Sequence, residues 1–241
     1  MTPASDAVLA GRWVVVTGAS RGIGAELALR LAADGAHLAL VARSRDALEA
    51  LAGELGAEPV VCDVRDPVQI EHAANRIESV AGGAPDVVVN NAGIFSIAAA
   101  HKTSVDDFRR TLDVNLVAPF AFVRAFLPGM RARGSGHLVT LGSVADRNIF
   151  AGNAAYSASK YGLRAMHEVL RAELRGTGVR ASLVSPGPVD TDIWNSIDPD
   201  NRPGFTPRAK MLRAADVADA IRWVIVAPPA VNVDELRFSS S

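Results

Sequence analysis

Seven short runs rich in Val and Leu alternate with longer stretches that carry apolar residues at helical spacing. The runs begin at Trp13, His37, Pro59, Asp86, His137, Val179 and, more weakly, Val233. Near-continuous apolar strands of this length belong in a parallel sheet buried on both faces. Strand–helix alternation along a whole chain implies helices on both sides of that sheet. Right-handed crossovers then make it a doubly wound Rossmann fold, a parallel seven-stranded sheet in an α/β chain. Local signals agree. Asp66 before Pro67, with Gln69 behind, reads as a helix start. Ser104 with Asp107 reads as a capping box. The stretch from Val105 to the glycine at 134 carries apolar residues at helical spacing. No linker, repeat or low-complexity tract divides the chain, so one domain is expected over residues 1–241.

Residues 188–208 break the rhythm, with many Pro, Asp and Asn after a strand end. A loop of this length in a compact domain is usually functional. The expectation is a substrate lid with short helical turns.

A formal net charge of −1 gives no reason to expect nucleic acid or an anionic membrane as partner. No uninterrupted apolar run reaches the ~20 residues of a membrane span. The N-terminal segment lacks the basic and apolar regions of a signal peptide. Cys62 is the lone cysteine, and the five histidines have no metal-ligand spacing, so no metal is expected. A cytoplasmic location is the expectation.

The first strand runs directly into Thr17-Gly18-Ala19-Ser20-Arg21-Gly22-Ile23-Gly24 and then a helix. Glycines let backbone approach a ligand closely, and a helix start offers free N–H groups to an anion. Placed after the first strand, this is a dinucleotide site. NAD enzymes usually carry an acid about 20 residues further on, for the ribose 2′-hydroxyl. Here Ala42 and Arg43 occupy that place, and Arg21 lies in the loop itself. Two guanidinium groups and no carboxylate suit a 2′-phosphate, so NADP(H) is expected, with hydroxyl contacts from Ser20 and Ser44. Asp46 reads as a helix-start residue.

Tyr156 and Lys160 stand one helical turn apart, with Ser143 thirteen residues upstream. Residues i and i+4 share a helix face. A Lys ammonium beside a phenol is expected to lower its pKa from about 10 toward the working range. A Ser hydroxyl opposite would hold a substrate oxygen.

With these motifs in order, the chain resembles the short-chain dehydrogenase/reductase family in its compact form. The match comprises TGASRGIG at 17–24, Asp63-Val64, NNAG at 90–93, Asn115, Ser143, Tyr156-x-x-x-Lys160, and Pro186-Gly187 with Thr191. The resemblance implies proton exchange between Tyr156 and a carbonyl or alcohol oxygen. It implies that Lys160 also binds the nicotinamide ribose, that Ser143 orients the substrate, and that Asn115 holds a relay water. Asp63 and Val64 would flank the adenine; Asn90, Ala92 and Gly93 would line the ribose; Gly187, Val189 and Thr191 would border the nicotinamide. The implied activity is NADP(H)-dependent interconversion of a small-molecule carbonyl and a secondary alcohol. A homodimer or homotetramer is also implied, through the long helices around 115–131 and 156–175. The ending VNVDELRFSSS departs from the family's glycine-rich finish. Two other readings stand beside this one. A 3-oxoacyl-carrier-protein reductase would need a basic docking surface, for which Arg124, Arg131 and Arg133 are candidates. A catalytically idle NADP-binding regulator would have no use for the full set of catalytic residues. For the substrate pocket, Ile94, Phe95, Val144, Phe150, Ile193 and Trp194 are the apolar candidates, with Arg147 and Asn148 as polar ones.

Overall fold

A computed structural model describes residues 7–241; residues 1–6, and with them part of the N-terminal segment read above, lie outside it. The chain runs β1 (Trp13–Thr17), α1 (Gly22–Ala33), β2 (His37–Ala42), α2 (Arg45–Leu55), β3 (Glu58–Val61), α3 (Pro67–Ala81) and β4 (Val87–Asn90). It continues through α4 (Val105–Leu112), α5 (Ala118–Arg133), β5 (Gly136–Leu141), α6 (Ala154–Glu173) and β6 (Val179–Pro186). It ends with β7 (Val189–Asp190), β8 (Leu212–Arg213), α7 (Ala214–Val226) and β9 (Glu235–Phe238). Seven strands form one parallel sheet in the order β3-β2-β1-β4-β5-β6-β9. All seven expected strands are present. The strands β7 and β8 pair with each other outside the sheet.

The strand period of two sends alternate residues to two cores. Val14 and Val16 pack with Leu27 and Leu31 of α1, Leu48 of α2 and Ile221 of α7. Val15 and Val88 pack on the other face with Ile70 and Ile77 of α3, Phe122 and Phe126 of α5 and Leu170 of α6. The chain reverses direction across the sheet between β1 and β4. Their carboxyl ends therefore leave a crevice at the switch point, where ligands bind in such sheets.

The caps form as expected. The Asp66 carboxylate accepts from Val68 N at 2.9 Å, with Pro67 opening α3. Ser104 Oγ accepts from Asp107 N at 3.0 Å and donates to the Asp107 carboxylate at 2.7 Å. The helix expected from Val105 is continuous but irregular: residues 113–117 form one π turn, closed by Ala118 N donating to Asp113 O. Such turns often mark functional positions. The whole 105–133 helix is long and apolar enough to cross a membrane by composition. Its apolar stripe, including Phe122, Phe126 and Met130, instead lies buried against the sheet.

Candidate active site

The crevice is a cavity of ≈ 660 Å³ running from the start of α1, across the ends of β1, β4 and β5, to the 188–208 segment. Gly18, Ser20, Arg21, Gly22 and Ile23 form its first wall. Gly18 (φ 67°) lies so close to the β4 end that a Cβ there would stand 2.8 Å from Ala92 Cα. A Cβ on Gly24 would stand 2.3 Å from Gly18 O. Gly24 faces this packing contact and does not reach the cavity, contrary to its expected contact role. The first turn of α1 has no side-chain cap. Its free N–H groups and dipole thus suit a diphosphate.

Two residues to which the sequence reading assigns no role, Thr17 and Asn91, fix this wall. Thr17 Oγ1 donates to Val89 O at 3.2 Å and accepts from Asn91 N and Ala92 N, both at 3.0 Å. Asn91 Nδ2 donates to Thr17 O at 2.8 Å. It is Asn91, not Asn90, that lines the cavity. Asn90 ends β4 with its side chain turned into the interior, 3% exposed, and its amide has no protein partner. Strand alternation explains this: Asn90 shares its face with Val88, which is buried in the core.

At the far end of β2, Arg43 and Ser44 line the cavity beside Asp63 and Val64. Asp63 is gripped by Arg65, with both carboxylate oxygens 3.0 Å from Nε. That contact holds its carboxyl below the usual range. Arg21 leans the other way, 3.9 Å from Asp192 in the 188–208 segment. Ala92, Gly93, Pro186, Gly187, Val189 and Thr191 complete the cofactor-sized part. The unusual C-terminus has a local task here: Gly187 N donates to Phe238 O at 2.8 Å, and a Cβ on Gly187 would lie 3.1 Å from Ser239 Cβ.

Ser143, Tyr156 and Lys160 converge in the middle of the cavity. Gly142 is required before Ser143, because a Cβ would stand 2.3 Å from Ser185 Oγ and 3.0 Å from Asp146 Oδ2. Ser143 Oγ accepts from Ala145 N at 3.2 Å, which caps the turn at Val144–Asp146. Burial pushes the Tyr156 phenol above its ordinary pKa, while a hydrogen bond with Ser143 pulls it back and the charge of Asp146 adds to the rise. The expected lowering by Lys160 is therefore corrected. The Lys160 ammonium donates to Leu141 O at 2.8 Å and lies 5.7 Å from the phenol ring centre. Burial lowers Lys160 to about 8, partly opposed by Asp146.

Asn115 sits in the π turn but does not line the cavity. Its Oδ1 accepts from Ile94 N at 2.9 Å, and its Nδ2 donates to Ile94 O at 2.9 Å and to Ser159 Oγ at 3.1 Å. It thus pins the segment after β4 to α6. Asp146, also unread from the sequence, is 1% exposed and accepts from Ser185 Oγ at 2.5 Å and from Arg147 Nε at 3.2 Å. Arg147 also pairs with Glu235, so it is a structural clamp and does not line the cavity. Arg133 donates to Ala84 O at 2.6 Å, and Arg131 is nearby in the same last turn of α5. Both precede β5 and so lie at the opposite end of the sheet from the cavity, away from any pocket mouth.

The fold and this crevice define a dinucleotide-binding oxidoreductase scaffold. Residues 12–202 match the short chain dehydrogenase family, and the chain belongs to it. It is 38% identical over 98% of its length to glycine betaine reductase of Emericella nidulans, of which it spans only 19%. An uncharacterized oxidoreductase of Staphylococcus saprophyticus is 35% identical, with 92% of this chain and 93% of that protein covered. An alcohol dehydrogenase from the archaeon Thermococcus sibiricus, complexed with 5-hydroxy-NADP, superposes with a TM-score of 0.85 at 32% identity, covering 95% and 96% of the two chains.

Proposed function

We propose that the chain is an NADP(H)-dependent oxidoreductase that interconverts a carbonyl and a secondary alcohol, with Tyr156 as proton donor and acceptor. The observation that carries this is the convergence of Ser143, Tyr156 and Lys160, whose ammonium lies 5.7 Å from the phenol ring centre, inside a cavity that opens at the bare start of α1. The glycine cradle and helix start fit a dinucleotide diphosphate. Arg43, with Ser44, would hold a 2′-phosphate at the end of β2, where the neighbouring Asp63 is already gripped by Arg65. The archaeal relative's complex with an NADP derivative supports that preference.

The bound nicotinamide supplies or accepts the hydride. The protein's own part is binding and proton handling. The Ser143 hydroxyl and the Tyr156 phenol together fix the substrate oxygen. A phenol held above its ordinary pKa stays protonated at neutral pH, which suits donation during carbonyl reduction. Lys160, protonated below about pH 8, places a positive charge beside the developing alkoxide. Asn115 contributes by holding Ile94 and α6 in register. Segment 188–208 forms a cover over the nicotinamide end. Arg208 pins it through Asp190 at 2.6 Å and Asn195 at 2.7 Å.

The test is NADPH oxidation, followed by absorbance against a panel of ketones and aldehydes, with Tyr156→Phe in parallel. Loss of turnover in the variant with NADPH binding retained is expected. Retained turnover refutes the assignment.

A further inference from the structure

We propose that the substrate end of the cavity selects neutral carbonyl compounds with an aromatic or branched apolar substituent and rejects oxo acids; this rests on the carbonyl-reducing reading above. A chain of rings leads away from the proton donor. Phe95 meets Tyr156 edge to face, with centroids 4.6 Å apart, and meets Trp194 at 5.0 Å. Trp194 in turn meets Phe205 at 6.4 Å. Edge-to-face contacts fix ring orientation, so this is a formed wall. The one indole donor is already used: Trp194 Nε1 donates to Val189 O at 3.0 Å. The wall thus offers a substrate apolar surface and no hydrogen bond from Trp194.

The opposite rim is apolar as well. Ile149 and Phe150 line the cavity yet remain 77% and 46% exposed. Large apolar side chains left in water at a pocket mouth mark a surface that an apolar ligand covers.

The charges point the same way. The cations lining the cavity are Arg21, Arg43 and Lys160. Arg43 stands at the dinucleotide end, Arg21 is already paired with Asp192 at 3.9 Å, and Lys160 is bound to Leu141 O. Near the ring wall, the charged lining residue is Asp192, an anion. Neighbouring arginines are engaged elsewhere and do not line the cavity: Arg147 with Asp146 and Glu235, Arg208 with Asp190 and Asn195, and Arg202 over the Phe205 ring at 5.0 Å. A substrate carboxylate would lose its water there with no unengaged cation beside the ring wall to replace it, which is unfavourable.

Acetophenone and phenylglyoxylate share a ring and a carbonyl and differ by a carboxylate. With NADPH, acetophenone should exceed phenylglyoxylate in kcat/KM by about 100-fold or more, as expected for an unpaired buried charge. Trp194→Ala should reduce kcat/KM for acetophenone by about tenfold, while affecting butanone less. Equal or better turnover of phenylglyoxylate overturns the proposal. So does a preference for betaine aldehyde, since a ring wall can also take a quaternary ammonium. Calorimetric binding to NADPH-loaded Tyr156→Phe protein separates the two levels of argument. Tight acetophenone and weak phenylglyoxylate binding, with no turnover of any carbonyl by the native protein, would sustain the selectivity and sink the reaction. The reverse order of binding would sink the selectivity whatever the turnover.

Discussion

Lys160 is a charged side chain placed where a neutral one would be more stable, and the cost is measurable. It is 6% exposed, and its ammonium donates to Leu141 O. Burial lowers its pKa from 10.5 to about 8. At about 1.4 kcal/mol per tenfold change, keeping it charged in the fold costs about 3 kcal/mol. Lys160→Met keeps the length of the side chain and removes the charge. It also removes the hydrogen bond to Leu141 O, at a loss of about 1 kcal/mol. The variant should therefore be more stable by about 2 kcal/mol at pH 7, about 4–8 °C in Tm for a chain of this size. The sign with pH is fixed by linkage. Between about 8 and 10.5 the unfolded chain binds the proton and the folded chain does not, so wild-type stability rises with pH. The burden is full below about pH 8 and fades as pH approaches 10.5. Thermal unfolding of cofactor-free protein, followed by circular dichroism, should show the variant's advantage at pH 7 shrinking to near zero by about pH 9.5. Turnover should fall by about 100-fold or more in the same variant. A variant no more stable at pH 7, or an advantage that does not change with pH, would refute the reasoning. Its success would show stability given up at the site for function.

Because Tyr156 is held above its ordinary pKa and Lys160 loses its proton near 8, reduction should be nearly flat from neutral pH to about 8 and fall above it, while alcohol oxidation should rise with pH; reduction that already falls between neutral pH and about 8 would contradict this. Asp146→Asn removes a buried anion that raises both Tyr156 and Lys160, so both should titrate lower and the alkaline limb of reduction should move to lower pH; Ser185→Ala, which keeps the charge, should leave that limb in place. Arg43→Ala should raise the Kd for NADPH by about tenfold or more and leave NADH nearly unchanged, measured by fluorescence titration; an unchanged ratio would remove Arg43 from the 2′-phosphate site. Gly24→Ala places a methyl group 2.3 Å from Gly18 O. It should weaken binding of both cofactors alike and destabilise the fold by about 1–3 kcal/mol.

The strands, the glycine turn and the Ser143–Tyr156–Lys160 set were legible because each rests on a local rule: period two, helix starts, and i to i+4 spacing. What escaped the sequence depends on contacts distant along the chain. Asp146 is an ordinary loop acid until Ser185, 39 residues later, donates to it. Asn90 and Asn91 are chemically identical, and only the strand register decides which one faces the ligand. The direction of the Tyr156 shift was misjudged for the same reason. Spacing puts Lys160 on the right helix face, but it does not reveal that Leu141 O takes the ammonium or that the phenol is buried. Phe205 was unread because it stands eleven residues beyond Trp194 in a segment with no periodicity. Apart from Asn90 and Asn91 on the dinucleotide wall, these misses lie around Ser143 and Tyr156 and along the 188–208 segment. Family motifs prescribe the reacting oxygen and the cofactor, so they constrain the residues that touch those groups. No such rule governs the ring wall or the buried acid behind Ser143. On the proposed reading, those two features are where this chain's own choice of substrate and pH range would be written.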